Sequence, residues 1–367
     1  NQHELRSYLA NIEDGGIFRQ LGINNLIEAD MFGWYLDVWC DSMAEAAREV
    51  INTLANYAVD TLDIDPDSSR DLLKHLYQNL MPKALRHNLG EYYTPDWLAE
   101  RTLALLDGVP EETVRQAEDS GKASQVMVYR GDPRKRLLDP ACGSGTFLVM
   151  AIRRIKEYAW RNAIPERHTL DLILKNVVGF DLNPLAVVSA RTNYLLALGE
   201  LLQHRGSEEI NIPVYLCDSI LTPHEGTDLL DQGVYTFNTS VGPFSVPACL
   251  VEARKIDTLA NLVEQSVNIG RTLEEFRSKA SEQFGLDPHQ HGRELATLGD
   301  LYGKLCRLKD EGINGIWARI IKNAFAPLFA GKFDFIAGNP PWVNWEHLPE
   351  QYREATKPLW DKYGLFT

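Results

Sequence analysis

Residues 136–147 read RLLDPACGSGTF, and this stretch decides the fold. Two leucines form a short apolar run that ends in an acid, and a turn with two glycines follows. The segment 146–160 then has the apolar spacing of a helix. Glycines let a ligand approach the backbone closely, and a helix N-terminus offers free N–H groups. The stretch therefore predicts a strand, a ligand-binding turn and a helix in succession.

The same order of strand and helix recurs along the chain. Further short apolar strands are predicted at 177–181, 212–217 and 333–337, and a short extra helix at 169–175 precedes the first of them. Strands that alternate with helices are typical of a mostly parallel sheet covered on both faces. We therefore predict an α/β fold with a doubly wound sheet.

Helical segments flank and interrupt this sheet. Apolar positions at three-and-four spacing run from Leu26 to Leu62, and a second helix is predicted after Pro66. Residues 222–332 are too long for an ordinary crossover, and they favour helices at about 251–267, 273–284 and 315–329. The predicted domains are an N-terminal α-helical lobe at 1–88, a ligand-binding half at 89–221, a mainly helical insertion at 222–332, and a final strand-loop at 333–367.

Composition narrows the class of protein. The formal net charge is −14, so any contact with nucleic acid must be local or supplied by another segment. Two basic stretches, 83–87 and 130–136, are candidates, although solvated loops explain them equally well. Five scattered cysteines and the isolated pair His289 and His291 indicate neither a disulfide framework nor a metal site. We found no apolar run of about 18 residues, so we expect a cytoplasmic protein with no membrane contact.

Three acids follow three successive predicted strands. Asp139 leads the glycine turn, Asp181 ends the next strand, and Asp218 follows the third. An acid at the tip of the second strand accepts hydrogen bonds from ribose hydroxyls in such folds. Asp139 with two glycines and no phosphate-binding lysine suits a zwitterionic sulfonium compound better than a pyrophosphate. Helix or turn capping would be the default explanation for any one of these acids alone.

Residues 339–342, NPPW, follow the fourth predicted strand. An exocyclic aromatic amine is a poor nucleophile because its lone pair is delocalised into the ring. The side-chain oxygen of Asn339 and the carbonyl of Pro340 could accept its two hydrogens and free the lone pair. Pro341 stiffens the loop, and Trp342 could stack on a base turned out of a duplex. The alternative is a rigid turn with a buried tryptophan.

Taken together, these motifs resemble the N6-adenine-specific DNA methyltransferases of restriction-modification systems, in the large form whose cofactor motifs precede the catalytic NPPW. Residues 89–95, LGEYYTP, are similar to the family's upstream motif. The resemblance implies a Rossmann-like, S-adenosylmethionine-dependent methyltransferase sheet, the cofactor S-adenosylmethionine, and no metal. The catalytic residues that it implies are Asn339, Pro340, Pro341 and Trp342. The cofactor-binding residues that it implies are Tyr93, Thr94, Pro95, Asp139, Ala141, Gly143, Gly145, Asp181, Leu182, Asp218 and Ser219.

The resemblance also implies partners. Double-stranded DNA is the expected substrate. The family's sheet has seven strands, and four are recognisable here, so we expect a C-terminal remainder of the same polypeptide or a specificity or nuclease partner. The expected function is methylation of adenine N6 in a restriction-modification or phage-defence system. The alternatives are a cofactor-binding but inactive subunit of such a complex, and an amino-methyltransferase that acts on cytosine N4 or RNA.

Overall fold

The structure is a computed structural model that describes residues 2–27, 33–56, 94–106, 116, 132–225, 233–239, 242–253, 255–311 and 317–365. The chain forms two compact units. The first contains residues 1–215 and 332–348, and the second contains residues 216–331 and 349–367. The domain boundaries expected from the sequence, at 88, 221 and 332, stay a prediction.

The first unit contains a parallel sheet. Its first three strands are β1 (Leu137–Asp139), β2 (Val177–Asp181) and β3 (Val214–Leu216). The fourth is Phe335–Ile336, which is numbered β7 because three strands of the second unit precede it in the chain. Among the described residues the strand order is β3-β2-β1-β7, and β1 pairs in parallel with both β2 and β7. All four predicted strands are thus observed. The mixed α/β class with a parallel sheet is confirmed, whereas the full doubly wound Rossmann-like layout stays a prediction.

The first unit also contains helices among its described residues. They are α1 (Gln2–Glu13), α2 (Gly16–Gln20), α3 (Trp34–Asp37), α4 (Asp41–Ala55), α5 (Asp96–Leu106), α6 (Thr146–Arg161), α7 (Glu166–Asn176) and α8 (Pro184–Leu198), with a 3-10 helix at Gly199–Arg205. The predicted extra helix before β2 is confirmed as α7. The second helix expected after Pro66 lies outside the described residues.

The N-terminal segment is attached to the sheet's β3 side. The side chain of Asn25, which is buried, donates to the carbonyl of Ile212 at 2.9 Å and accepts from its N–H at 2.7 Å. Ile23 also forms a parallel bridge with Ile210. Because an amide matches both backbone groups at once, this contact fixes the segment in register against the chain that enters β3.

The helical segment Pro184–Arg205 corrects one expectation from the sequence. By length and composition it is apolar enough to cross a membrane, with a mean hydropathy of 1.2, although no such run was predicted. It begins where Pro184 occupies the first turn and the Asn183 side chain accepts from the N–H of Leu185. Its buried Tyr194 donates to two backbone carbonyls of the unit. Packing within the first unit buries 44% of its most apolar 18-residue window.

The second unit has its own core. It contains an antiparallel sheet of β4 (His224–Glu225), β5 (Val234–Thr239) and β6 (Gly242–Pro247), three strands among the described residues. Its helices are α9 (Ala248–Glu252), α10 (Ile256–Ile269), α11 (Leu273–Phe284), α12 (Gly292–Asp310), α13 (Trp317–Ala330) and α14 (Glu350–Lys362). Cross-strand Phe237 and Phe244 stack with ring centroids 5.6 Å apart, as do Phe276 and Tyr302 at 4.2 Å. Each buried Phe of this kind contributes about 1.5–3 kcal/mol.

The insertion is therefore less purely helical than the sequence indicated. Three helices were predicted within it, and α10, α11 and α13 correspond to them, but α12 and the β5–β6 hairpin were not predicted. In the loop before α12, His291 Nδ1 accepts from the N–H of Asp287 at 3.2 Å. No group of three potential metal ligands comes together in the part of the chain that the structure describes.

Candidate functional site

The glycine turn after β1 is held by backbone geometry. Gly145 has φ of 87°, a left-handed value that favours glycine, and it caps α6. A Cβ at this position would also lie 3.3 Å from the backbone of Ala190 on α8. Gly143 has φ of 54°, and a Cβ there would meet nothing within 4 Å. The turn is thus packed on one side at Gly145 and open on the other at Gly143.

Asp181, at the end of β2, fastens this turn. One carboxylate oxygen accepts from the N–H of Gly143 at 2.8 Å, and the other accepts from the N–H of Asn183 at 2.8 Å. Both oxygens of the carboxylate therefore hold backbone N–H groups, one in the glycine turn and one at the start of α8. The structure therefore brings together two of the predicted cofactor residues, at the carboxyl ends of neighbouring strands.

Asp139 is buried rather than open to solvent. It is 1% exposed, and its Oδ1 accepts from the N–H of Ala141 at 3.2 Å. Burial raises the pKa of this carboxyl group to about 8, and the nearby negative charge of Asp181 adds to the effect. Asp139 is therefore an acid that remains largely protonated at neutral pH.

The loop after β7 adjoins Asp139. The N–H of Ala337 donates to the carbonyl of Leu138 at 2.9 Å, which continues the pairing of β7 with β1. Gly338 comes next, and a Cβ built on it would overlap Oδ1 of Asp139 and lie 3.3 Å from Cδ of Pro140. Only glycine fits between these strand ends without movement of the neighbours. The NPPW segment thus begins in direct contact with the turn that contains the predicted cofactor residues.

The NPPW segment itself lies at the surface. Asn339 is partly buried, both prolines are exposed, and Trp342 is 73% exposed. The indole Nε1–H of Trp342 donates to Oδ1 of Asn339 at 2.9 Å. The alternative of a buried tryptophan in a rigid turn is therefore wrong, because most of this side chain is accessible.

The remaining predicted cofactor residues are distributed as follows. Thr94 is buried and Pro95 is exposed immediately before α5, whereas Tyr93 lies outside the described residues. Leu182 is 62% exposed beside Asp181. Ser219 is exposed.

Asp218 belongs to the second unit and is described there by itself. Its Oδ1 accepts from the N–H groups of Ile220 and Leu221 at 2.7 and 3.0 Å, which is a turn-capping arrangement. The hydroxyl of Tyr352 on α14 lies 3.5 Å from the same oxygen. Burial and this carboxylate raise the pKa of Tyr352.

Two positions of the site were not predicted from the sequence. Gly338 could have been found, because a glycine between a strand and a chemical motif often marks a close backbone approach. Asn193 on α8 gave no such signal. It is 2% exposed, and its Nδ2 donates to the carbonyl of Ser144 at 2.8 Å, which supports the glycine turn from behind.

Two other regions lie outside this group of residues. A cavity of about 650 Å³ is lined by helical residues that include Lys156, Trp160, Asn193 and His204. Asn193 and Val149 link its wall to the glycine turn, and none of the predicted site residues lines it. In the basic stretch before β1, Arg134 forms an ion pair with Asp132 at 2.8 Å. That pairing favours the interpretation of a solvated loop.

Comparison with known proteins shows the family of the chain. Residues 175–367, more than half of the chain, match the family described as Eco57I restriction-modification methylase. The chain belongs to the Eco57I restriction-modification methylase family. Residues 122–210, which contain the glycine turn and Asp181, also match the DNA-methyltransferase domain of MmeI.

A relative of this chain occurs in Methanocaldococcus jannaschii. It is named as a putative type II restriction enzyme and methyltransferase, and it is 27% identical over 226 residues. The match covers 51% of this chain and 18% of the relative, so the chain spans less than a fifth of that protein's length. These matches support a DNA methyltransferase of the restriction-modification type.

Proposed function

We propose that the chain transfers a methyl group from S-adenosylmethionine to the N6 amine of an adenine turned out of duplex DNA. The observation that carries this proposal is the contact of Gly338 with Asp139, which joins the loop of Asn339 to the glycine turn. An acceptor for an amine and a turn suited to a cofactor are thereby held at adjacent strand ends. Positioning of this kind lowers a barrier because the reacting groups need no further search.

The residues of the glycine turn fit the cofactor. Open space above Gly143 allows a ligand to reach the backbone, and two backbone N–H groups hold Asp181 at the strand tip, where an acid accepts from ribose hydroxyls in such folds. Asp139 would gain charge beside a cationic ligand, since a positive neighbour lowers the pKa that burial has raised. When bound, S-adenosylmethionine supplies a methyl group on a positively charged sulfur.

The residues of the NPPW segment fit the amine. Oδ1 of Asn339 and the carbonyl of Pro340 accept the two N6 hydrogens, which draws the nitrogen lone pair out of the ring. The nitrogen then forms a bond to the methyl carbon as the carbon–sulfur bond breaks, and the surplus proton on nitrogen leaves to solvent. The exposed indole of Trp342 offers a face on which the extruded base stacks.

The biological setting follows from the family. A methyltransferase of the restriction-modification type marks DNA that an associated nuclease would otherwise cut. We propose that the nuclease and the target-recognition elements are supplied by further polypeptide or by a partner. Specificity for a sequence requires contacts with base edges in the grooves, and the net charge of −14 favours a separate source for contacts with DNA.

The first experiment identifies the product. The full-length polypeptide is incubated with methyl-labelled S-adenosylmethionine and unmethylated genomic DNA, and the DNA is digested to nucleosides. Label in N6-methyladenine is expected. Label in N4-methylcytosine, label only when RNA replaces the DNA in a parallel reaction, or no label with cofactor bound would each contradict the proposal and select one of the alternatives.

The second experiment tests the acceptor. Asn339→Ala should lower the rate of methyl transfer by about 100-fold or more, the scale seen when one preorganised hydrogen-bonding group is removed. Cofactor affinity, measured by calorimetry, should change less than about twofold. The matched control is Asn344→Ala in the same loop, because Asn344 is exposed and its side chain caps nothing. A normal rate in Asn339→Ala would remove this residue from the mechanism.

A further inference from the structure

The hydrogen bond between Trp342 and Asn339 gives the tryptophan a second role, an inference that rests on the proposed function. The bond is 2.9 Å long and joins the first and last residues of the NPPW segment. Trp342 is the donor, and an indole N–H can only donate. The amide of Asn339 must therefore present its oxygen, and not its NH₂ group, on this side.

The orientation of this amide decides whether the site can work. The two ends of an Asn side chain have nearly the same shape, and rotation about χ2 by half a turn exchanges an acceptor for two donors. The target amine itself offers hydrogens. An Asn339 that presented NH₂ would place donors against donors, and the amine lone pair would stay in the ring.

The indole can fix the amide without blocking it. A carbonyl oxygen has two acceptor positions, so an indole N–H at one of them does not exclude a second donor. The N–H lies in the plane of the ring, whereas a base stacks on the face of the ring. With 73% of Trp342 exposed, a face remains accessible while the N–H is engaged.

We propose that Trp342 is a positioning residue whose indole N–H holds the Asn339 amide with its oxygen toward the target amine. This role is distinct from stacking, which any aromatic ring could provide. The positioning role requires the indole N–H, which phenylalanine lacks.

Trp342→Phe in the full-length polypeptide separates the two roles. The ring face is kept and the N–H is lost, so the single-turnover rate of methyl transfer should fall roughly fivefold, which corresponds to the loss of one modest hydrogen bond. The affinities for cofactor and for DNA should change less than twofold. Trp160→Phe is the matched control, since Trp160 is 81% exposed on α6, and it should leave the rate unchanged. An unchanged or faster rate in Trp342→Phe would overturn the proposal.

Adding Trp342→Phe to the Asn339→Asp variant tests whether Trp342 acts through Asn339. A carboxylate is symmetric, so Asn339→Asp keeps acceptor oxygens and needs no orientation. Whatever activity this variant retains, adding Trp342→Phe to it should cause no further loss. A further fivefold loss in the Asp background would show that the tryptophan acts by stacking or by another contact, and would overturn the positioning role.

A third measurement does not depend on the reaction. In protein with ¹⁵N-labelled tryptophan, the indole signal that disappears in Trp342→Phe belongs to Trp342, and its hydrogen exchange with solvent can be followed. Asn339→Ala should accelerate this exchange several-fold, whereas Asn344→Ala should not. Equal exchange rates would overturn the proposal even if adenine methylation is confirmed. Failure to methylate adenine would instead contradict the proposed function while this hydrogen bond remained measurable.

Discussion

The two loops at the carboxyl ends of β1 and β7 have opposite exposure although they touch. Residues 139–145 are fastened by the core, with Asp139 at 1% exposure and Gly145 packed on α8. Residues 339–342 lie at the surface, where Trp342 is 73% exposed. The first loop therefore depends on packing for its shape, whereas the second depends on two prolines and one hydrogen bond within itself. Substitutions in the first should change stability and function together, and those in the second should change function alone.

Adding a side chain at Gly338, where the two loops meet, should have the largest effect on stability and on methyl transfer. Gly338→Ala forces a Cβ against Asp139 and should lower the free energy of unfolding by roughly 2–3 kcal/mol, the cost of overpacking. Methyl transfer should also be lost, because the NPPW segment is displaced. Urea unfolding and the labelled transfer assay measure both. Gly292→Ala is the control, since a Cβ there meets nothing within 4 Å, and its stability should stay within about 1 kcal/mol of the wild type.

Asp139→Asn should show how much the burial of this ionisable carboxyl group lowers the free energy of unfolding. The carboxyl pKa is about 8 when folded against a reference value of 3.8, so between these values the unfolded chain is ionised while the folded chain keeps the proton. The free energy of unfolding should therefore fall as pH rises through this window, by up to about 1.4 kcal/mol per pH unit.

Asp139→Asn removes this titration, because the amide of asparagine does not ionise. Unfolding curves at pH 5 and pH 7 should show Asp139→Asn losing less stability than the wild type between the two, and becoming the more stable protein at pH 7. Its affinity for the cationic cofactor should fall about tenfold because a potential counter-charge is gone. A wild-type stability that is flat over this pH range would contradict the burial of the acid.

Asp181→Ala should have an intermediate effect. Two backbone N–H groups, those of Gly143 and Asn183, lose a charged acceptor. We expect a loss of about 2 kcal/mol in unfolding free energy, within the usual range for hydrogen bonds to charged groups. Cofactor affinity should fall at least tenfold by calorimetry. Stability loss with full affinity would mean that Asp181 only supports the turn.

Pro341→Ala should have the smallest effect and should be confined to the second loop. The substitution adds freedom to the unfolded chain and to the loop, so stability should fall by about 0.5 kcal/mol and the transfer rate two- to threefold. Cofactor affinity should not change. Pro349→Ala, at the start of α14, is matched for exposure and should cost similar stability without slowing transfer. A large loss of stability in Pro341→Ala would remove the contrast between the loops.

Local pattern was sufficient to predict the four strands of the parallel sheet in the first unit. The strand at 177–181 was predicted with the bounds that are observed, and the shorter β7 lies within its predicted range. These segments combine a short apolar run with a following turn or acid, and both signals are local. In the second unit, β5 and β6 were not predicted, because the run 234–239, VYTFNT, mixes apolar and polar residues with little contrast between the two faces. The helix α12 was missed because its glycines and charged residues dilute its apolar spacing.

The sequence predicted which residues belong to the site better than it predicted the contacts between them. The NPPW motif and the acids stand out by residue type and position. The burial of Asp139 depends on Gly338, about two hundred residues later in the chain, and no local pattern carries that information. The bond from Trp342 to Asn339 spans three residues, yet it depends on a loop conformation that sequence spacing alone does not specify.

The place of β7 beside β1 also has a consequence for synthesis of the chain. Arg136, next to β1, is joined by its N–H to Asp334, 198 residues later. At roughly 5–20 residues per second on the ribosome, about 10–40 seconds pass between the emergence of these two segments. During that interval one edge of β1 has no β7 to pair with, and such an edge is a template for wrong partners. Nascent chains that stall within residues 216–331 should therefore depend on chaperones, and the loop at 339–342 can join the turn of Asp139 only after that stretch has been made.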